Sequence, residues 1–591
     1  MMKTDELNDR WNIESLYPSD EAWENDYARL TETIEKISGF AGRMDDAKTL
    51  LEYLQFTEEM YIWIEKVVLY PHLKADEDVT NADYAAMDGR AESLGAEIMA
   101  QQSFFEPEIL GLPEDRVDEM FREQPELEKY RFLIESILRG RRHIRSGECE
   151  EILAYAGDCF SGIETASHIL SDSDMEFEPV TDENGEEQEL SEGNYPTFLF
   201  SQNRSVRKSS FVSLMRGYGK YANTFCSLLT SSVKNCVFNA NIRNYDTALE
   251  SVLDSDNIPT SVYMKAIDEI EKGLPELHRF VAMKKKILGI DEMHLYDLNA
   301  PSEAAPKTDF DFSDGVEIVL KALEPMGSEY TAKFREGIEN RWIDRYPRKG
   351  KASGAYSSGG YDTMPFVLMN YNGTEEDVLT LAHEMGHSLH TCYTNSVQPA
   401  IYSGYALFCA EVASTTNEVI VSRYMADHET DKARRLRLIF LQLDQIRSSV
   451  FRQVMFAEFE LYMHDAVERM MQPTTDDLCR KWHELNVKYY GEGMIIDDEA
   501  DIEWARIPHF YSDFYVYQYA TGYAAANAFA EAITSGKAGA LDKYLKFLKS
   551  GCSDYPVAIL QKAGVDLTGS EPYASVVRRF KSLLDEAESF L

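Results

Sequence analysis

The most informative pattern for chemistry is a pair of histidines separated by three residues. His383 and His387 enclose Glu384 in the sequence His-Glu-Met-Gly-His. Residues four apart on a helix lie one turn above each other on the same face, so the two imidazoles can bind one metal ion. Glu384 lies about 100° around that helix, where its carboxylate can reach a water on the metal without binding the metal. The pattern therefore predicts a metal site that activates water.

A catalytic zinc site needs a third protein ligand and keeps one position open for water. His390 shares a face with His387, but three histidines along one helix fit a tetrahedral centre poorly. Metzincins place a glycine and then a histidine at fixed positions after the second ligand, and this chain has His390 and Tyr393 there. The third ligand is therefore expected on another element.

Residues 408–418, with the sequence FCAEVASTTNE, offer that element as a second helix. Glu411 and Glu418 are seven residues apart and therefore face the same way. Either carboxylate would complete a site of two histidines and one glutamate, and the other would then orient a ligand histidine. Spacing alone does not choose between them.

The histidine pair requires a helix, and the sequence supplies its start. Thr374, followed three residues later by Asp377, has the capping-box pattern that begins a helix before an apolar periodic run. Gly386 lies inside the motif and permits another element to pack closely. Upstream, residues 365–371 form a short apolar run after Gly354 and other glycines, which predicts a strand and hence a small sheet beside this helix.

Most of the remaining chain shows helical periodicity, as in residues 57–70, so the predicted fold class is mainly α. The acidic, turn-rich residues 177–194 predict an exposed loop near a boundary, and residues 298–313, with two prolines, predict a connector. We expect an N-terminal helical region over residues 1–195 and a catalytic domain over residues 196–591.

Composition excludes several classes of function. The 591 residues carry a formal net charge of −43, which disfavours nucleic acid and anionic lipid as partners and would attract cationic peptides. There is no apolar leader at the start and no run long enough to span a membrane. Eight scattered cysteines without a CxxC pair indicate reduced thiols rather than disulfides or a cysteine-based zinc site, so a cytoplasmic location is expected.

HEMGHSLH followed by FCAEVASTTNE resembles the thimet-oligopeptidase-like metallopeptidases, most closely their oligoendopeptidase F branch. WNIESLYPSDEAWENDY near the start and RIPHFYSDFYVYQYATG near the end are similar to that branch too, so the resemblance covers nearly the whole chain. It implies a helical two-lobed clamshell that encloses a deep channel, and hydrolysis of internal bonds in short peptides.

The resemblance also assigns roles within the site. It implies one zinc ion per chain held by His383, His387 and Glu411, with Glu418 orienting a ligand and Glu384 as the general base. Downstream, it implies a histidine and a tyrosine that bind substrate and stabilise the oxyanion. His509 is the matching histidine; among the tyrosines near it we favour Tyr517, with Tyr515 second. Residues 365–371 and the region of Gly354 would bind peptide backbone as an added strand.

Two alternatives remain open at this point. A zinc carboxypeptidase of related helical fold would need a cationic group to hold the terminal carboxylate of its substrate. A non-catalytic peptide-binding protein would keep the fold without the chemistry, although the presence of His383, Glu384, His387 and Glu411 argues against it. Short peptides are the expected partners, and the oligomeric state is left open.

Overall fold

The computed structural model describes residues 9–301 and 309–591. The first eight residues and the middle of the connector predicted at 298–313 lie outside this range. The chain forms two compact units: unit 1 comprises Met1–Arg142, Lys307–Val421 and Phe529–Gly564, and unit 2 comprises His143–Pro306, Ser422–Ala528 and Val565–Leu591. Each unit combines segments that are far apart in the sequence. The predicted division at residue 195 is a boundary along the sequence, which these spatial units do not test, so it stays a prediction.

Helices make up most of unit 1. Ser19 and Asp46 begin two of them by accepting hydrogen bonds from backbone N–H groups of the first turn, the usual way to satisfy these donors. Met60 and Val67, two positions of the predicted apolar stripe, are buried in the core of this unit. The helices of unit 1, including one that ends in unit 2, are Asp20–Ile34, Ala47–Glu77, Ala82–Gln102, Phe105–Gly111, Glu114–Glu123, Arg131–Arg139, Phe312–Ala322, Gly327–Glu339, Glu375–Asn395, Leu407–His428, Ala540–Leu548 and Pro556–Lys562.

A three-stranded sheet lies beside the helix Glu375–Asn395, as predicted. Its central strand, Phe366–Leu368, pairs in parallel with Ile343–Asp344 and antiparallel with Tyr356–Ser358. All three residues of the central strand are buried: Phe366 and Leu368 belong to the core of unit 1, and the strand also contacts the helix Glu375–Asn395. Tyr356–Ser358 is an edge strand of this sheet, so one side of its backbone has no neighbouring strand in the sheet.

Unit 2 is also mainly helical and contains two minimal sheets. The strands Met293–His294 and Met494–Ile495 run in parallel. The other pair, Val180–Thr181 with Glu187–Gln188, is a short hairpin inside the acidic segment predicted as a loop; Asp182 accepts backbone hydrogen bonds across its turn. The helices are Gly147–Ile169, Tyr195–Leu199, Arg204–Lys220, Ala222–Ile242, Ala248–Asp254, Thr260–Glu271, Leu274–Leu288, Lys432–Ile446, Arg452–Glu468, Thr475–Tyr490, Tyr517–Thr534, which ends in unit 1, and Glu571–Phe590.

The predicted fold class, mainly α with a small sheet beside the histidine helix, is confirmed. Among the described residues, no helix is both long and apolar enough to cross a membrane. All eight cysteines lie in the described part of the chain and are free thiols.

Candidate metal centre

The helix Glu375–Asn395, here called the motif helix, begins as the sequence predicts. The hydroxyl of Thr374 accepts a hydrogen bond from the Asp377 backbone N–H at 3.2 Å, and the Asp377 carboxylate accepts one from the Thr374 N–H at 2.9 Å. The helix is also stabilised by three acidic residues in its first turn, because their negative charges lie near the positive end of the helix dipole. The apolar positions Leu381, Met385 and Leu389 are fully buried, and this burial fixes the rotation of the helix about its axis.

That rotation brings the two motif histidines together. The Nε2 atoms of His383 and His387 are 3.1 Å apart. The Nδ1 atom of His383 lies 2.9 Å from a carboxylate oxygen of Glu418. Because a carboxylate accepts, His383 is protonated at Nδ1, and as a neutral ring it presents the Nε2 lone pair towards His387.

Glu411 completes the cluster from the helix Leu407–His428, here called the glutamate helix. One of its carboxylate oxygens lies 3.3 Å from Nε2 of His383 and 3.5 Å from Nε2 of His387. Zinc bonds of 2.0–2.2 Å to nitrogen and oxygen give a tetrahedron with edges of about 3.3–3.6 Å. The three atoms therefore have close to the separations that one metal ion requires, and the two-histidine, one-carboxylate donor set suits zinc.

Gly386 allows the two helices to approach this closely. A Cβ atom at this position would lie 2.7 Å from the Cα of Ser414 and 3.1 Å from the carbonyl oxygen of Ala413 on the glutamate helix. The crossing point is thus formed by backbone against backbone. On the motif helix the crossing lies at Gly386, one residue before His387, and on the glutamate helix it lies at Ser414, three residues after Glu411. This position brings the Glu411 carboxylate within reach of both imidazoles.

The charges within the cluster are strongly coupled. Burial opposes ionisation of His383 and Glu411, but the hydrogen bonds between them outweigh burial. These bonds and the one to Glu418 raise the pKa of His383 to about 10, and the pKa of Glu411 falls far below its usual range. The cluster therefore attracts positive charge, either as a proton on His383 or as a metal ion in its place.

Glu384 and His390 lie on the same helix but outside the ligand group. Glu384 is buried, and desolvation raises the pKa of its carboxyl group. His390 is fully buried and stacks on Tyr405 with ring centroids 4.0 Å apart; burial lowers its pKa to about 3, so its ring is neutral. The structure places His390 in the core rather than beside His383, in agreement with the sequence argument against three ligands on one helix.

The edge strand Tyr356–Ser358 is connected directly to the motif helix. The hydroxyls of Ser357 and Ser388 lie 2.8 Å apart, one residue beyond His387. Just before the strand, Gly354 adopts a φ of +85°, which favours glycine, and its carbonyl accepts a hydrogen bond from the side chain of Asn370. The open edge of the sheet and the two motif histidines are therefore positioned by the same helix.

The other predicted site residues belong to unit 2. The Tyr519 hydroxyl lies 3.2 Å from Nε2 of His509, and the Tyr515 ring is nearly parallel to that of His509 with centroids 5.9 Å apart. Tyr517 is only 2% exposed, its ring packs 5.0 Å from that of Tyr263, and burial raises its pKa. The sequence analysis considers several tyrosines in this segment, Tyr519 among them, and favours Tyr517. Because the helix starts at Tyr517, residues 517 and 519 point to different sides, and this phase was the available signal.

Two family models match the chain: peptidase family M3 over residues 197–578 and oligopeptidase F over residues 108–177. Oligopeptidase PepF of Bacillus subtilis is 39% identical over 99% of this chain and 87% of its own length. Group B oligopeptidase PepB of Streptococcus agalactiae is 36% identical over 98% of this chain and 97% of its own length.

Solved structures of similar proteins support the same family assignment. The crystal structure of oligoendopeptidase-F from Enterococcus faecium has a TM-score of 0.76 at 36% identity, covering 97% of this chain and 99% of that chain. A crystal structure of a Chlamydophila abortus protein has a TM-score of 0.93 at 34% identity, covering 99% of this chain and 98% of that chain. The resemblance found in the sequence is confirmed, and the chain belongs to peptidase family M3, in its oligoendopeptidase F branch, as a metallopeptidase.

Proposed function

We propose that this protein is a zinc endopeptidase that hydrolyses internal bonds of short oligopeptides. The observation that carries the proposal is the group of ligand atoms from His383, His387 and Glu411, with separations of 3.1–3.5 Å. The names of the relatives, oligopeptidase and oligoendopeptidase, support short peptides as the substrate class and an endopeptidase mode.

In this proposal His383, His387 and Glu411 hold one zinc ion, and Glu418 orients His383 through its Nδ1 hydrogen. Such a partner fixes the tautomer and makes the ligand nitrogen more basic. A bound zinc ion supplies Lewis acidity towards the scissile carbonyl and lowers the pKa of water in the open position.

Glu384 is the proposed general base and acid. Its carboxylate takes a proton from the attacking water and later delivers that proton to the nitrogen of the leaving amine. Its raised pKa suits both steps, because a base with a higher pKa holds the proton better and still releases it to an amine. Burial also excludes bulk water that would compete for the proton.

For the oxyanion we propose His509 together with Tyr519. The hydroxyl of Tyr519 lies beside the His509 ring, both side chains are partly exposed, and both can donate a hydrogen bond. The side chain of Tyr517, which the sequence analysis favours for this role, is almost completely buried, so its surroundings do not support that choice. Tyr515, stacked on His509, is proposed to contact substrate.

The expectation that residues 365–371 bind peptide as an added strand is wrong, because Phe366–Leu368 already pairs with a strand on each side. The backbone of the substrate is instead proposed to pair with the edge strand Tyr356–Ser358, near Gly354. An extended peptide added to a sheet edge gains main-chain hydrogen bonds without depending on its sequence. Through Ser357 and Ser388, such a strand would lie in a fixed position relative to the motif helix.

We also propose a boundary near residue 195 between the N-terminal helical region and the catalytic domain, since the two family models end and begin on either side of it.

A cytoplasmic location is supported by the free thiols. The net charge of −43 disfavours nucleic acid and anionic membranes as partners.

The test is a peptide assay with a matched variant. Peptides blocked at both ends should be cut internally by the zinc-loaded protein, and a chelator should abolish cleavage until zinc is restored. Glu384→Gln should keep its zinc and lose most turnover, at least about a hundredfold. Near-normal cleavage by that variant, with its zinc content verified, would refute the proposed mechanism. If only peptides with a free carboxyl end were cut, the protein would instead be a carboxypeptidase.

A further inference from the structure

Three potential metal ligands meet inside unit 2, in a place that the proposed function does not use. They are Cys236 on the helix Ala222–Ile242, His464 on the helix Arg452–Glu468, and Asp513 in the segment before the helix Tyr517–Thr534. One ligand atom from each lies within 4.8 Å of the other two. The Nε2 atom of His464 and a carboxylate oxygen of Asp513 are 3.4 Å apart.

The hydrogen bonding of His464 leaves a nitrogen directed into this cluster. Its Nδ1 lies 2.9 Å from the backbone carbonyl oxygen of Glu460, and because a carbonyl only accepts, Nδ1 carries a proton. In a neutral ring Nε2 is then a lone pair. This atom is buried and has no hydrogen-bond partner, and the whole side chain is only 2% exposed. A histidine that binds a metal shows this arrangement, with its second nitrogen donating to a carbonyl.

Asp513 approaches His464 from the opposite side, and its carboxylate also interacts with the Cys236 thiol. Its oxygen facing His464 is buried without a hydrogen-bond partner, and His464 is its only ion-pair partner within the described residues. A lone pair and a carboxylate oxygen at 3.4 Å repel each other unless a positive charge lies between them. Cys236, 5% exposed, supplies the third atom.

The backbone at Asp513 is held in an uncommon conformation. The next residue, Phe514, has a φ of +53°, in the left-handed region that bulky residues rarely adopt. Its N–H donates to Glu460 at 2.6 Å, and its ring packs against that of His464. These contacts keep the Asp513 side chain directed towards His464.

We propose that Cys236, His464 and Asp513 bind a second divalent metal ion, with zinc as the best match. A sulfur, a nitrogen and an oxygen donor together suit zinc better than magnesium or calcium, which prefer oxygen alone. Tetrahedral zinc bonds of 2.0–2.3 Å give edges of about 3.3–3.8 Å, which matches the His464–Asp513 distance.

This ion would have a positioning role. Asp513 lies in the short segment between His509 and Tyr517, so a metal bond at Asp513 attaches that segment to two helices of unit 2. The cysteines are scattered along the sequence and the three ligands come from distant elements, which is why the sequence indicated no cysteine-based metal site.

The test measures metal content in protein without a polyhistidine tag, dialysed against metal-free buffer after loading with zinc chloride. Elemental analysis should find two zinc ions per chain in the wild type and one in the His383→Ala, His387→Ala double variant. Loading the double variant with cobalt chloride should add a near-ultraviolet band from cobalt–sulfur charge transfer. A double variant that retains no metal and shows no such band would overturn the proposal, leaving a metal-free His464–Asp513 ion pair.

Cysteine variants of the double variant identify the site. Cys236→Ser should remove the cobalt–sulfur band, whereas Cys226→Ser, a buried cysteine on the same helix, should retain it. Circular dichroism confirms that each protein is folded. A band that survives Cys236→Ser or disappears in folded Cys226→Ser would also overturn the assignment. If Cys236→Ser does not fold, His464→Gln takes its place, with loss of the second zinc ion as the expected result.

Discussion

Replacing Gly386 by alanine should weaken metal binding, although alanine is the better helix former. The new Cβ would lie 2.7 Å from the Cα of Ser414, whereas carbon atoms pack at about 3.5–4.0 Å. The glutamate helix must therefore move by about 1 Å, because the obstructing atoms are backbone. Metal sites tolerate displacements of only about 0.2 Å, so Glu411 would no longer reach the metal at the proper distance.

Two opposing energies determine the size of the effect. Alanine in place of glycine inside a helix stabilises by about 1 kcal/mol, while overpacking costs about 1–3 kcal/mol. The metal-free variant should thus be destabilised by at most about 2 kcal/mol. We expect the zinc affinity to fall by about 10–100-fold, the range for changes that misplace ligands without removing them.

The assay is a competition titration with a zinc chelator, combined with thermal unfolding of the metal-free protein. Gly95→Ala is the matched control: it lies in the helix Ala82–Gln102 of the same unit, and a Cβ there would meet nothing within 4 Å. The control should keep its zinc affinity and gain stability. Wild-type zinc affinity in folded Gly386→Ala would refute the argument that the helix crossing sets the ligand positions.

Glu418→Gln should lower zinc affinity by about 10–100-fold, because the neutral amide holds His383 less firmly; an unchanged competition titration would contradict this. Tyr519→Phe should lower kcat/KM by at least about tenfold, whereas Tyr517→Phe should change mainly stability, and the reverse ranking in a peptide assay would reject our choice of tyrosine. The pKa of His390 falls from 6.5 to about 3 on folding, so the unfolded chain binds a proton that the folded chain does not, and stability present above pH 6.5 is lost as pH falls towards 3. At about pH 5 this loss is about 2 kcal/mol, and His390→Phe should remove it from the pH dependence of urea unfolding; an unaltered pH dependence would contradict the shift.

Local sequence patterns were sufficient to predict the motif helix. Its start at Thr374, its buried face and the pairing of His383 with His387 all follow from spacing along one helix. The strand at 366–368 was predictable for the same reason, as an apolar run between turn residues. Helical periodicity along most of the chain likewise predicted the mainly α fold class.

Choices that depend on tertiary position were not predictable from spacing. Glu411 and Glu418 lie on the same face of their helix, so spacing leaves them equivalent, and the resemblance was needed to favour Glu411 as the ligand. The structure places Glu411 near Nε2 and Glu418 near Nδ1 of His383. Our proposal of Tyr519 over Tyr517 rests on the burial of Tyr517, which depends on packing between distant segments. The cluster around Cys236 joins segments far apart in sequence, so no spacing rule describes it.

A metal ion held as proposed by residues of the motif helix and the glutamate helix would also act as a cross-link. From His383 to Glu411 the chain forms a loop of roughly 30 residues, and the relation used for disulfides gives such a closure about 3–4 kcal/mol of entropic stabilisation. Bound metal would therefore oppose local unfolding of both helices, and its removal would weaken them together. Hydrogen exchange along these two helices should thus respond to metal as one cooperative element.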